Sequence, residues 1–166
     1  MSMKPGIVEV NYNGTSLHFK ISTRPSFFLK LALYFLNILL IAVILLFTFG
    51  GVGFIVLFIV AFEVLLLRYS VWNLYGTETI TLTKDTLSYQ QFYGFLKLAV
   101  KSFKINKSVR VIPFHENFQA GNKAMKLIFE SYDEDNEPVN LYQTALVISP
   151  ADYGLFIQAF DQMYAR

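Results

Sequence analysis

The chain has no cysteine and little charge. Of its 166 residues, 54% are hydrophobic, 16% are charged and five are proline, and the net charge is +2. Soluble domains average about 25% charged residues, and without cysteine no disulfide can form. The shortage of charge is local, since residues 31–67 contain one charged side chain, Glu63. The composition therefore excludes a uniformly water-soluble globule, a disordered chain and a disulfide-stabilised scaffold.

The apolar stretch is long enough to cross a membrane twice. A helix needs about 20 apolar residues to span a hydrocarbon core of about 30 Å, and three glycines, Gly50, Gly51 and Gly53, lie near the middle of the stretch. Glycines inside an apolar run are typical of a turn. We predict a transmembrane helical hairpin over residues 26–70, with helices at about 26–49 and 54–69 and a turn at 50–53.

Two other interpretations of this stretch fit less well. A phosphate-binding loop requires a Lys followed by Ser or Thr after its glycines, and neither follows Gly53. A cleaved signal peptide has one short apolar region near its start, whereas the first 30 residues here are polar or amphipathic and the apolar stretch has twice the length of one span. The helices are therefore expected to be retained anchors.

Positive charges flank the predicted hairpin and are missing from its turn. Lys4, Lys20, Arg24 and Lys30 precede or begin the first helix, and Arg68, Lys84, Lys97 and Lys101 follow the second. Because Lys and Arg favour the cytoplasmic side, we expect both termini in the cytoplasm and the protein in the cell inner membrane. An aromatic belt is expected at the same interface, formed by Tyr34, Tyr69, Trp72 and Tyr75.

Two strongly polar side chains lie within the apolar stretch at residues 31–67, Asn37 and Glu63. Counted from Gly51, they lie at similar depths toward the cytoplasmic side, so we treat them as a candidate intramembrane polar pair. An ionisable group inside a membrane helix is a functional candidate because its burial is costly. The alternative is that Glu63 is shallow enough to reach water, Arg68 or Asn37 without a specific role.

The polar segments on either side of the hairpin predict antiparallel strands. Asn13-Gly14 between two alternating runs is a strong β-hairpin signal, and a lone hairpin is marginally stable. Residues 1–25 are therefore expected to form a cytoplasmic hairpin that packs on the sheet of the domain at 71–166. Strands are predicted at 78–82, 86–90, 123–132 and 138–147, with an acidic turn at 133–137. The number of strands between 95 and 112 is left open.

The chain is expected to end in an amphipathic helix at about 151–164. Ser149, Pro150 and Asp152 supply an N-cap, a proline in the first turn and an early acid. Apolar residues recur behind them at helical spacing, namely Leu155, Phe156, Phe160 and Met163. The fold class predicted for the whole chain is thus an α+β membrane protein, in which this helix covers one face of an antiparallel sheet.

The order of these elements resembles a known family. A membrane hairpin, then Gly76-Thr77-Glu78-Thr79-Ile80-Thr81-Leu82, Leu87-Ser88-Tyr89, further strands and a capped final helix are similar to the bacterial pleckstrin-homology-like (PH-like) membrane proteins, the YcxB-like group among them. The resemblance covers most of the chain. It implies a β-barrel-like sheet plugged by a helix and a binding or scaffolding role, and it supplies no catalytic residues.

A basic stretch follows the second predicted helix and contains Lys97, Lys101, Lys104, Lys107 and Arg110. Basic clusters just cytoplasmic of a membrane helix attract anionic lipid, at about 1 kcal/mol per cation. We take this stretch as a candidate lipid or partner surface, with a solvated strand or helix face as the equal alternative. Nucleic acid is not an expected partner, because no recognised nucleic-acid-binding motif is present.

No cofactor or metal site is predicted. The acidic turn at 133–137 lacks the spacing of a calcium loop, and His18 and His115 lie on separate segments without the three or four ligands that zinc requires. Both histidines are expected to be structural or at the surface. The sequence also contains no motif of a catalytic nucleophile or of a zinc hydrolase.

The sequence therefore favours a non-enzymatic, membrane-anchored adaptor, assembly factor or regulatory protein. It is expected to bind protein partners or a second copy of itself, and anionic lipid headgroups through the basic stretch. Two alternatives remain: an accessory subunit of a transporter or membrane enzyme complex, in which Asn37 and Glu63 act inside a helix bundle, and an enzyme whose site the sequence does not advertise.

Overall fold

The structure is a computed structural model, and it describes residues 5–114, 124–133 and 135–165. Its helices are α1 (Phe27–Phe49), α2 (Gly53–Tyr75) and α3 (Pro150–Tyr164). The strands before and just after the helical hairpin are β1 (Ile7–Tyr12), β2 (Leu17–Ser22), β3 (Gly76–Leu82) and β4 (Thr86–Tyr93). The remaining strands are β5 (Leu96–Lys97), β6 (Lys101–Lys104), β7 (Arg110–Phe114), β8 (Lys126–Tyr132) and β9 (Pro138–Gln143). The α+β class expected from the sequence is confirmed.

The apolar stretch forms two packed helices of 23 residues each. Ser26 caps α1 by accepting a hydrogen bond from the Leu29 amide, and Gly51 adopts a φ of 76° in the connection between the helices. Both helices are long and apolar enough to cross a membrane, with mean hydropathies of 2.7 and 2.3. These properties indicate membrane association.

Helix α2 is longer than its hydropathy suggests. It continues through Tyr75, six residues beyond the predicted end at Tyr69, so the expected domain boundary at 70 and 71 falls inside the helix. Ser70 and Leu74 are buried on this last part, and their spacing of four residues places them on one helix face. The helix continues because its final turns pack against the rest of the protein.

The larger sheet joins segments from both sides of the helical hairpin. Its strand order is β1-β2-β3-β4-β5, and β6 also pairs with β4. Strand β2 lies antiparallel to β3, with Ser22 opposite Thr77 and Leu17 opposite Leu82. The N-terminal hairpin is thus an integral part of the sheet, and the two ends of the helical hairpin emerge side by side.

The turn between β1 and β2 differs from the predicted one. Four residues, 13–16, connect the strands instead of two, and Gly14, not Asn13, has a positive φ of 91°. The Asn13 side chain explains the difference, because its Oδ1 accepts hydrogen bonds from the Thr15 and Ser16 amides. An Asn side chain that mimics a backbone turn removes the need for the tighter geometry.

The smaller sheet has the order β7-β8-β9. Three strands, β5, β6 and β7, form between residues 95 and 112 and just beyond, which answers the question left open by the sequence. Strand β8 begins at Lys126, and β9 ends at Gln143, four residues before the predicted end at Val147. The chain leaves the sheet there because the next residues turn toward a buried side chain of β3, as described below.

The core lies between the sheets and α3. Phe156 of α3 contacts Phe19 of β2 with ring centroids 4.7 Å apart and Phe129 of β8 at 5.9 Å. Such a fully buried ring contributes about 1.5–3 kcal/mol. The predicted Ser149 cap is confirmed as a capping box with Asp152. Leu155, expected on the apolar face, is instead 57% exposed, because it lies about 100° around the helix from Phe156.

Candidate functional site

The junction between the helical hairpin and the sheets is the first candidate site. Helix α2 passes into β3 without a linker, and a Cβ on Gly76 would lie 2.3 Å from the Trp72 carbonyl oxygen. Trp72 packs on Tyr93, with ring centroids 4.7 Å apart, and the Arg68 guanidinium lies 5.6 Å from the same Tyr93 ring. The last turns of α2 and the end of β4 therefore form one packed unit.

The other end of the helical hairpin is held close to the same point. The Thr23 amide donates to the Gly76 carbonyl at 2.9 Å, and the Ser26 cap of α1 follows three residues later. The Tyr34 and Tyr75 hydroxyls are hydrogen-bonded at 2.5 Å, which links the two helices at this end. Three of the four expected belt aromatics thus take part in the junction, and the fourth, Tyr69, is exposed.

Asn37 and Glu63 are both buried within the helical hairpin but do not form a direct hydrogen bond. Asn37 donates to the Ser70 hydroxyl at 2.9 Å, and Ser70 lies seven residues, or about 10 Å, along α2 from Glu63. Asn37 and Glu63 therefore lie at different depths in the helical hairpin. Asn37 faces Ser70 because α2 begins only at Gly53, so facing positions on the two helices are not equally far from Gly51. Among the described residues, no hydrogen-bond partner reaches Asn37 Oδ1 or either Glu63 oxygen.

The predicted basic stretch does not form a single surface. Lys97 lies opposite Phe92 of β4, and its ammonium is 5.8 Å from the centre of the Phe92 ring. Lys101 lies opposite Tyr89, and its ammonium is 6.0 Å from the centre of the Tyr89 ring. Side chains opposite each other in an antiparallel pair share a face, and residues 89 and 92 point to opposite faces of β4. Lys97 and Lys101 are therefore on different sides of the sheet.

The other three cations lie farther from the junction. Lys104 is opposite Thr86, at the end of β4 away from α2. Lys107 donates to the Asn136 side chain in the acidic turn, and Arg110 lies opposite Glu130 across the β7–β8 pair. The five cations therefore have different neighbours and lie at different places on the domain.

A second feature of this region was missed by sequence reasoning. Residues 94–100, which we name the apolar loop, connect β4 to β6 and include the short strand β5. Every side chain they carry is exposed, including those of Phe95, Leu96, Leu98 and Val100. The sequence left the number of strands in this region open and indicated no apolar surface in it. Only the absence of polar residues between Gly94 and Lys101, apart from Lys97, could have indicated a different role.

Glu78 of β3 is the most buried acidic residue in the described part of the chain. Its carboxylate accepts hydrogen bonds from the Tyr142 hydroxyl and from the backbone amides of Ala145 and Leu146, the latter two at 3.1–3.2 Å. Burial raises the pKa of Glu78, and these hydrogen bonds together with Lys126 partly oppose the shift. Burial, followed by the Glu78 charge, also raises the pKa of Tyr142.

The geometry around Glu78 connects the two sheets. Tyr142 stacks on Tyr89 of β4 with ring centroids 3.7 Å apart, and Gln91 donates to the Tyr142 hydroxyl at 3.3 Å. The two backbone donors lie in the segment that follows β9, which explains why this strand ends early. Glu78 is fully buried and accepts from groups on and just after the second sheet, so its contacts are those of an architectural residue.

The remaining candidates have structural contacts. His18 is hydrogen-bonded to Ser16 and Thr81, and Asp133 accepts from the Glu137 amide across the acidic turn. Across residues 5–114, 124–133 and 135–165, no cluster of three or more acidic or histidine side chains could hold a metal ion. His115, Lys4 and the predicted start of the 123–132 strand at Lys123 lie outside the described residues.

An open groove of about 510 Å³ lies between the β1–β2 turn and the end of α3. Tyr12, Asn13 and Gly14 line one side, and Gln162 and Ala165 line the other. These groups offer neutral hydrogen-bonding atoms and no ionisable side chain other than a tyrosine, so the groove carries no obvious chemistry.

Comparison with known proteins does not assign the chain to a family. No protein-family model matches it, and no curated protein is significantly similar to it.

Proposed function

We propose that the protein is a non-enzymatic adaptor or assembly factor that holds a PH-like β domain against the cytoplasmic face of the inner membrane. The observation that carries this proposal is the direct passage of α2 into β3. A helix that enters a sheet without a linker transmits its orientation to the sheet. A domain mounted in this way presents fixed surfaces at a fixed height above a bilayer.

The topology follows from the sheet. Because β2 and β3 are antiparallel neighbours, the start of α1 and the end of α2 lie at the same end of the helical hairpin. Arg24, Lys30 and Arg68 cluster at this end, while the connection at residues 50–52 carries no charge. The distribution of Lys and Arg therefore favours a cytoplasmic domain. Two antiparallel sheets with a C-terminal helix across the core are consistent with the proposed PH-like fold.

Single-cysteine labelling tests this topology, and the lack of native cysteine makes it direct. We expect Val52→Cys, in the connection between α1 and α2, to react with a membrane-impermeant maleimide added to intact spheroplasts. Thr15→Cys and Asp135→Cys, on exposed turns of the β domain, should react only after the membrane is opened. Labelling of all three positions in intact spheroplasts would contradict the cytoplasmic placement, and labelling of Thr15→Cys and Asp135→Cys alone would indicate the reverse orientation.

The adaptor role is tested with the full-length protein in a mild detergent. We expect it to migrate as a complex with a partner or with further copies of itself, because a scaffold acts through contacts. Size-exclusion chromatography coupled to light scattering determines the mass of the protein separately from that of the bound detergent. A monomer in both detergent and native lipid nanodiscs, with no copurifying protein, would contradict the proposal.

A second candidate is an accessory subunit of a transporter or membrane enzyme complex. It is favoured by the carboxylate oxygens of Glu63 and by Asn37 Oδ1, which are buried without partners in the described structure, since such groups are costly in a membrane interior. Photo-crosslinkers at positions 37 and 63 should then capture another membrane protein. Exposed Phe62, next to Glu63, is the matched control: equal capture from all three positions would argue against a specific contact.

A further inference from the structure

The apolar loop exposes more hydrophobic surface than its place in a water-facing domain would explain. Phe95 is 89% exposed, Val100 57%, Leu96 55% and Leu98 42%. The loop is nevertheless ordered by its backbone. The Leu98 amide donates to the Gln91 carbonyl at 3.0 Å, and the Gln90 side chain donates to the Leu98 carbonyl at 2.6 Å. Four neighbouring apolar side chains are thus held outward by fixed backbone contacts, and such patches mark interaction surfaces.

The loop begins in contact with the last turns of α2. Gly94 lies beside α2, and a Cβ there would be in ordinary van der Waals contact with Val71 at 3.4 Å and with Tyr75 at 3.5 Å. The residue before it, Tyr93, is the one that packs against Trp72 and Arg68. In the proposed membrane arrangement Arg68 is the first charge that α2 reaches on leaving the apolar span, and Arg and Trp mark the headgroup level. The loop therefore starts at the headgroup level.

The chemistry of the loop fits a lipid interface better than water. Its one charged residue is Lys97, whose ammonium lies over the Phe92 ring, and a lysine can place an apolar stem in the lipid and its charge among the headgroups. The loop begins beside the exposed side chain of Tyr75 on α2. A surface that covers Tyr75 therefore also meets the start of the loop.

We propose that residues 94–100 insert into the cytoplasmic leaflet beside α2 and form a third membrane contact of the protein. This inference rests on the proposed transmembrane hairpin and adds to it a lipid-binding element outside the helices. Phe95, Leu96, Leu98 and Val100 enter the boundary between headgroups and acyl chains, about 5–10 Å deep. Lys97 pairs with lipid phosphates, whereas Lys104 stays in water, because it lies opposite Thr86 and Lys97 lies opposite Phe92, about 20 Å away along β4.

The test uses full-length protein in phosphatidylcholine vesicles, with a nitrobenzoxadiazole fluorophore on single cysteines. Phe95→Cys reports on the loop, and Ala99→Cys is a second position with a small exposed side chain, in case the first disturbs folding. Lys104→Cys is the water-facing control on the neighbouring strand. Leu46→Cys, 70% exposed on α1, is the transmembrane reference. Quenching is measured with nitroxide-labelled acyl chains and, separately, with aqueous iodide.

We expect lipid nitroxides to quench the fluorophores at 95, 99 and 46, and iodide to quench the one at 104. Adding phosphatidylglycerol should increase lipid quenching at 95, and Lys97→Gln should remove this increase. Iodide quenching at 95 and 99 with normal lipid quenching at 46 overturns the insertion while leaving the transmembrane hairpin intact. Protection from both quenchers at 95 and 99 shows that protein covers the loop and also overturns it. A fluorophore at 46 that lipid nitroxides do not quench rejects the transmembrane hairpin together with the inserted loop.

Discussion

At the scale of single residues, Glu78 and Tyr142 show how a buried polar pair can decide the path of the chain. Glu78 lies on β3 of the larger sheet, and its partners lie on and just after β9 of the smaller sheet. A buried carboxylate must find donors, and two backbone amides supply them only if the chain leaves β9 at Gln143. The pair thus determines the end of a strand and couples the two sheets.

Replacing Tyr142 with Phe tests this coupling. The change removes the hydroxyl donor to Glu78 but keeps the ring that stacks on Tyr89. Hydrogen bonds to charged groups contribute about 1.5–3 kcal/mol, so we expect Tyr142→Phe to lower the free energy of unfolding by that amount. Urea titration of the full-length protein in detergent, followed by circular dichroism, measures it. The control is Tyr12→Phe, which removes an exposed hydroxyl bonded to the Gly14 carbonyl and should cost under about 1 kcal/mol.

The pKa of Glu78 predicts the sign of a pH dependence. Burial raises this pKa above its ordinary value of 4.5, so between 4.5 and the raised value the folded state binds more protons than the unfolded state. Stability should therefore decrease as the pH rises through this window. Urea titrations across a pH series should show this decrease in the native protein and lose it in Glu78→Gln. An increase in stability over the same window in the native protein would contradict the assignment.

At the scale of elements, the passage from α2 to β3 depends on Gly76. A Cβ at this position would meet the Trp72 carbonyl at 2.3 Å and the Trp72 ring at 2.9 Å. Backbone atoms cannot move aside as a flexible side chain can, so any other residue must open the junction. The absence of a linker is thus a consequence of glycine at the first position of β3.

We expect Gly76→Ala to destabilise the protein by about 1–3 kcal/mol, as over-packing does elsewhere, and to alter the environment of Trp72. Because Trp72 is the one tryptophan of the chain, its fluorescence emission reports directly on the junction. Gly53→Ala is the matched control, since no atom lies within 4 Å of a Cβ there and the glycine has no positive φ. Identical emission and stability in both variants would show that the contact at Gly76 is not needed.

At the scale of the whole molecule, the helical hairpin is an insertion between two neighbouring strands. Ser22 and Thr77 lie opposite each other in the β2–β3 pair, and Thr23 is hydrogen-bonded to Gly76. A tight turn of about two residues can connect antiparallel strands. A short turn could therefore replace the helices and still leave β2 and β3 paired.

Replacing residues 24–75 with an Asn-Gly turn should therefore give a folded domain without the apolar helices. We expect a circular dichroism spectrum dominated by strands and a cooperative thermal transition, because the core around Phe19, Phe129 and Phe156 is retained. Removing α2 uncovers Tyr93 beside the already exposed apolar loop, so Phe95→Ser and Leu96→Ser are included to limit aggregation. A shortened protein that lacks strand signal and a cooperative transition would show that the domain requires the hairpin to fold.

Local chemistry in the sequence determined much of this protein. The composition of residues 31–67 predicts two apolar helices, and Ser149 and Asp152 predict the capped start of α3; the structure contains both features. These features depend on hydropathy, capping and backbone freedom within a few residues, so they can be recognised without the fold.

Only the tertiary structure decided which distant groups meet. The end of α2 at Tyr75 depends on packing with Tyr93, the end of β9 depends on Glu78, and Asn37 meets Ser70 because the hairpin connection shifts the facing positions. The five basic residues are close together in the sequence, but strand pairing with β4 and β8 places them on different faces and at different positions along the sheets. Contacts between distant residues are set by strand register and helix packing, which a single sequence encodes only through the complete three-dimensional arrangement.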